Sequence, residues 1–266
     1  MVLSQFTSWR ITKRQKFIVM SFLLSIVLVA TQTVPESLRY QTMGVLAFAT
    51  LTFAIFSLWG ELSGVKYFLL LLLPVYFVTG SSLFYFLLPV RWLTRLPFAF
   101  VFGISLYLLM LTSNIYNVAA IRTIALLRAA HAVGILFSLI STFFLVNVLL
   151  SFHLPFYLVA LGVVLVAGPL YLVGLWSYEL EDFISKRVFM YSIIYTFVTA
   201  QIATVLSFWP IAPINGALAM ATVMYVLLSI TQFVFKESLK ARIALEHLII
   251  TFIVFVIILI STRWGV

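Results

Sequence analysis

The sequence contains no cysteine. That removes disulfides, thiolate metal centres and cysteine nucleophiles from consideration. Acidic residues are nearly as scarce: Glu36, Glu61, Glu179, Glu181, Asp182, Glu237 and Glu246 are the whole set, and none lies inside a long apolar run. Ion-coupled carriers commonly bury a carboxylate, because a charge near the bilayer centre costs ~2.5–3.5 kcal/mol or more and persists there for function. The lack of one argues against ordinary proton or sodium coupling. It also removes the aspartates with which a membrane enzyme would hold magnesium and a polyprenyl diphosphate. Charge of either sign is thin, at 9% of residues against roughly 25% in soluble domains. Short alternating segments of ~10 residues, the mark of an outer-membrane barrel, are missing too. So is any soluble domain: the longest polar loop, Ser177 to Arg187, is too short to fold alone.

What remains is oil. Hydrophobic residues make up 64% of the 266, in runs of about twenty that are apolar on every face, which is the pattern of bilayer-spanning helices. The chain reads as an all-α integral membrane protein with nine transmembrane helices. A lead over residues 1–16 carries Arg10, Lys13, Arg14 and Lys16. The first helix follows over 17–34, and without a convincing cleavage site it reads as a retained anchor. Further spans fall near 41–59, 67–88, 97–113, 129–150, 155–176, 188–209, 214–235 and 247–262.

With the N-terminus in the cytoplasm, twelve of the sixteen Lys and Arg residues fall on the inner side and four (Arg39, Arg91, Arg95, Arg263) outside. This positive-inside bias places the C-terminus outside a cytoplasmic-type, plasma or inner, membrane. Trp9, Trp59, Trp92, Trp176, Trp209 and Trp264 all sit at span ends, where an amphipathic ring prefers the headgroup layer. The same topology accounts for the net charge of +9, and no basic, aromatic-interleaved segment is present to bind nucleic acid.

Comparison of the chain with itself suggests a duplication. Gly44-Val45, Trp59, Lys66, Phe77-Val78-Thr79, Pro89, Tyr107 and Ile124-Ala125-Leu126 recur as Gly162-Val163, Trp176, Lys186, Phe197-Val198-Thr199, Pro210, Tyr225 and Ile243-Ala244-Leu245, at offsets of 117 to 121 residues. The expected architecture is the first helix plus two tandem four-helix units, residues 38–150 and 153–262. An even number of helices per unit implies a pseudo-two-fold axis along the membrane normal.

The polar exception to the oil is Thr112 to His131, with a weaker echo at Thr231 to His247. Asn114 and Asn117 share a helix face, and Arg122, Arg128 and His131 follow; Gln232 and Lys240 occupy the matching places in the second unit. Two amides with several cations at a cytoplasmic membrane face suit a phosphate or other anionic headgroup, without metal or other cofactor. Topology setting and snorkelling explain the same residues as well. Pro74 and Pro169, inside spans, free backbone carbonyls for a neighbour or ligand.

Three functions fit these features. The first is a carrier or flippase-like binder of an anionic, lipid-related molecule, with membrane lipids as partners. The second is a structural or assembly subunit docking a protein partner through cytoplasmic loops. The third, a membrane enzyme acting on a lipid headgroup, lacks any visible acid–base or metal constellation, so the chain leans away from catalysis.

Overall fold

The computed structural model describes residues 12–31, 34–58, 64–89, 91–119, 125–238 and 240–262. Among these there are nine α-helices and no strand: α1 Lys13–Ala30, α2 Arg39–Leu58, α3 Lys66–Leu87, α4 Trp92–Ala119, α5 Leu127–Ser151, α6 Phe156–Glu179, α7 Lys186–Ser207, α8 Pro213–Phe235 and α9 Ala241–Ser261. Eight of them, α2 to α9, are long and apolar enough to cross a membrane. The chain is a multi-pass helical membrane protein by this measure. Helix α1 is shorter, and three basic residues crowd its first turn.

Three helices depart most from the sequence expectation: α9 begins at Ala241, six residues before the expected 247, and α1 and α4 differ at both ends. Helix α1 starts four residues before the apolar run and ends at Ala30 rather than residue 34, because its start is set by a capping box: Thr12 Oγ1 accepts from Gln15 N at 3.4 Å, and Gln15 Oε1 accepts from Thr12 N at 2.8 Å. Helix α4 begins at Trp92 and continues to Ala119, so Asn114 and Asn117 lie within its last two turns instead of beyond its end.

Packing divides the helices into an inner and an outer set. Helix α3 lies against α5 and α6, α5 against α6 and α8, and α6 against α8. Around them, α2 covers α3, α1 lies on α4 and α2, α7 on α6 and α8, and α9 packs chiefly on α8. Burial follows: the most apolar stretch of α3 is 56% buried and that of α9 only 11%. The inner helices touch where side chains are small. A β-carbon at Gly134 in α5 would collide with the Tyr116 hydroxyl of α4, and one at Gly174 in α6 would press on Leu228 of α8 at 2.8 Å.

The prolines inside α3 and α6 leave carbonyls that their own helices cannot satisfy. Pro74 cannot donate to the Leu70 carbonyl, which accepts instead from Ser113 Oγ of α4 at 3.3 Å. Pro169 cannot donate to the Leu165 carbonyl, which accepts from Tyr76 Oη of α3 at 2.9 Å. Both freed groups are used to join helices, as expected where no water reaches the backbone.

Candidate functional site

The polar stretch of α4 and α5 is drawn partly inward. Asn117 is fully buried. Asn114 is half-buried, and its Oδ1 is enclosed without a hydrogen-bond partner. Arg128, two residues into α5, is exposed rather than turned to the interior. Gln232 is half-buried near the end of α8, and Lys240 is the exposed residue that precedes α9. Arg122 lies outside the described residues. The two amides therefore belong to the interior and the described cations, Arg128 and Lys240, to a surface rim. They do not converge on a single preformed pocket.

His131 is buried for a different purpose. Its Nε2 is 2.7 Å from the Ser177 carbonyl of α6, and its ring lies between Tyr116 of α4 and Tyr178 of α6, centroids 5.7 and 5.5 Å away. The tyrosine hydroxyls extend the connection: Tyr116 donates to the Ala130 carbonyl at 2.9 Å and Tyr178 to the Leu228 carbonyl of α8 at 3.2 Å. Tyr195 of α7 shares a hydrogen bond with Thr231 of α8, and Tyr171 of α6 pairs with Thr199 of α7 at 2.8 Å. Hydroxyls, some buried and some half-buried, thus fasten α4 through α8 to one another. His247 has its own arrangement, stacked on Tyr225 at 5.4 Å with Nδ1 2.8 Å from the Ile243 carbonyl. Among the described residues no group of three or more His, Asp or Glu comes together as a metal site would require.

The loop between α6 and α7 is held to its own chain. Leu180 ends α6 in the left-handed conformation, with φ of 53°. Trp176 Nε1 donates to the Glu181 carbonyl at 2.8 Å, and Ser185 caps α7 while donating to Glu179. Lys66 at the start of α3 is buried, and its Nζ lies 3.2 Å from Asp182 Oδ1, whose side chain is mostly exposed. Arg187 donates to the Val234 carbonyl at 3.3 Å and lies over the Phe235 ring at 4.1 Å.

The larger openings are elsewhere, on two sides of α4. A cavity of about 440 Å³ is bounded by α3, α4, α5, α8 and α9. Phe77, Phe98, Phe102, Phe143 and Phe144 lie on its wall among aliphatic side chains, and the only oxygen-bearing side chains on it are Ser81, Ser105, Thr222 and Tyr225. Val101 and Ile250 at its edge are exposed, so it opens sideways from the helix bundle. A second space, about 670 Å³, runs along α1 and α4 between Ile18 and Ala30 and is equally oily. Neither is lined by a charged residue. The sequence offers no sign of Ser81, Ser105 or Thr222 as site residues, and marks Tyr225 only as the repeat counterpart of Tyr107. Nothing in their local spacing separates them from the many hydroxyls that only serve their own helix.

A protein-family model described as "Protein of unknown function (DUF5656)" matches residues 92–261. The matched segment runs from the first residue of α4 to the last of α9 and covers well over half of the chain. No curated protein and no solved structure matches the chain.

Proposed function

We propose, for a chain that belongs to the DUF5656 family of proteins of unknown function, the role of a membrane carrier that binds an anionic, lipid-related molecule. The hydrocarbon part occupies the cavity bounded by α3, α4, α5, α8 and α9, and the charged end is held at the basic cytoplasmic rim. The observation that carries this reading is the cavity itself: roomy, lined by phenylalanine and aliphatic side chains, uncharged and open to the side where lipid would lie. The rim is within reach. Asn114 is nine residues past Ser105 on α4 and Gln232 seven past Tyr225 on α8, distances of about 14 and 10 Å along the helices. Beyond them, Arg128 and Lys240 offer donors for phosphate or carboxylate oxygens.

The test is to fill the cavity. Ala221→Trp, measured by native mass spectrometry of the purified protein, should reduce retained lipid by about tenfold while the protein stays monodisperse. Arg122→Gln with Arg128→Gln should weaken retention of anionic more than of zwitterionic lipid. Unchanged retention in the tryptophan variant would remove the cavity from the reading.

Two finer proposals accompany this one. The orientation has the N-terminus in the cytoplasm, supported by the distribution of Lys and Arg, and it counts α1 as a ninth crossing. The two-unit duplication, residues 38–150 and 153–262, is supported by the steady offset in sequence and by the pairing of α2 with α3 and of α6 with α7. Against it, α3 packs on α5 while α7 makes no comparable contact with α9, and the family match starts at α4, inside the first unit. An experimental structure in which 38–150 fails to superpose on 153–262 would end the duplication proposal.

One observation favours the assembly-subunit reading as the second choice. Phe183 is exposed in a loop otherwise fastened at Trp176, Asp182 and Ser185. A rigidly presented aromatic side chain is a common anchor for a partner. Phe183→Ala should then abolish co-purification of a protein partner without changing retained lipid.

A further inference from the structure

Hydroxyls on helices in apolar surroundings ordinarily turn back onto their own backbone. In the helices that bound the cavity they do so repeatedly, and of the following four Thr222 lies on its wall. Thr79 donates to the Val75 carbonyl at 2.8 Å, Ser82 to Val78 at 2.8 Å, Ser141 to Phe137 at 2.7 Å and Thr222 to Leu218 at 2.8 Å. Ser81 stands between two of these, has no solvent exposure, lines the cavity, and its Oγ has no hydrogen-bond partner. Among the described residues only one other buried side-chain hydroxyl shares that state, Ser21, and it lines the space between α1 and α4.

We infer that the Ser81 hydroxyl is a recognition group, and that the part of the ligand seated in this cavity carries a neutral hydrogen-bond acceptor, a ketone- or ester-type carbonyl, within its hydrocarbon chain. This rests on the reading that the cavity holds the ligand's hydrocarbon. A buried donor without a partner is costly, and an acceptor brought by the ligand removes that cost. The acceptor must be neutral, because no charged residue lines the cavity to offset an ion. It must also be an acceptor rather than another chain methylene, because the phenylalanine rings already satisfy hydrocarbon and give no preference along its length. Ser81 lies fifteen residues into α3, about 22 Å from its first residue. The carbonyl is therefore placed well along the chain, away from the charged end.

The experiment compares octadecanoate with keto-octadecanoates bearing the carbonyl at successive positions, titrated into the purified full-length chain in nanodiscs. One keto position should bind about two- to tenfold tighter than the plain chain, the range of a single net hydrogen bond. Ser81→Ala should erase that preference, so that every keto isomer binds within about twofold of plain octadecanoate in the variant. Infrared spectra of the wild-type complex, which need no variant to fold, should show the ketone stretch of that isomer lowered relative to the same ketone in hydrocarbon solvent. If every keto isomer binds like the plain chain, if the preference survives in Ser81→Ala, or if the ketone stretch is unshifted, the inference fails while the cavity reading stands. If plain octadecanoate does not bind, or binds equally to Ala221→Trp, the cavity reading fails first.

Discussion

Ser113 and Tyr76 each complete a carbonyl that a proline has abandoned, at Leu70 and Leu165. Such a bond is worth more than its hydroxyl alone suggests, because the alternative is a bare carbonyl in a water-free interior. Measured interhelical hydrogen bonds in membranes nevertheless fall near 0.6 kcal/mol with a ceiling of about 1.7. Ser113→Ala is therefore expected to lower stability by about 0.5–1.5 kcal/mol in a detergent unfolding titration. The decisive comparison is with Pro74→Ala, which gives residue 74 an amide able to reach Leu70. In that background the cost of Ser113→Ala should shrink to a few tenths of a kcal/mol. Equal costs in both backgrounds would mean that Ser113 acts through something other than the freed carbonyl. Gly134 offers a second check, since Gly134→Leu must displace the Tyr116 hydroxyl from the Ala130 carbonyl and should cost about 1–3 kcal/mol as an overpacked contact.

At the scale of the helix, α9 is the least integrated element. It rests chiefly on α8, and its contacts include Tyr225 on His247, Trp209 against Phe255 at 5.6 Å, and a 2.8 Å bond from Asn215 to Ser261. A chain stopped after Lys240 should still insert α1 to α8 and lose only a few degrees of Tm, read by fluorescence-detected size exclusion. It should retain less lipid, because Ile250 closes one side of the cavity. Degradation or aggregation of the shortened chain would show that α9 carries more of the fold than its burial implies. The existence of these helices was legible in the sequence because twenty apolar residues in a row leave the backbone no other way to satisfy itself in a bilayer. Their starts were less so: the apolar run begins at Phe17, but Thr12 and Gln15 set the first turn. Where a helix carries only apolar and hydroxyl side chains, its rotation was not legible. A helix oily on every face has no stripe to say which side turns inward, so Ser81 and Ser82 read alike although the hydroxyl of Ser82 is bonded to Val78 and that of Ser81, a residue of the cavity wall, has no partner. Asn114 and Asn117 turn inward because an amide facing lipid would forfeit its hydrogen bonds, whereas the exposure of Arg128 follows from its place at the very start of α5.

For the whole molecule, the orientation proposal is open to direct measurement, helped by the absence of native cysteine. Single cysteines replacing Ser4 and Ser185 should be shielded from an impermeant thiol reagent added to intact cells, and one replacing Thr94 should be labelled. The reverse pattern would put the basic rim of Arg128 and Lys240 on the outer side of the membrane. The two proline carbonyls add a dimension of time. Ser113 is made 43 residues after Leu70, roughly 2 to 9 seconds later at ordinary rates of synthesis of 5–20 residues per second. During that interval α3 has a carbonyl with no partner. The Leu165 carbonyl of α6 meets a Tyr76 that was inserted long before. Helix α3 therefore completes its hydrogen bonding only when α4 arrives, whereas α6 meets its partner already in place.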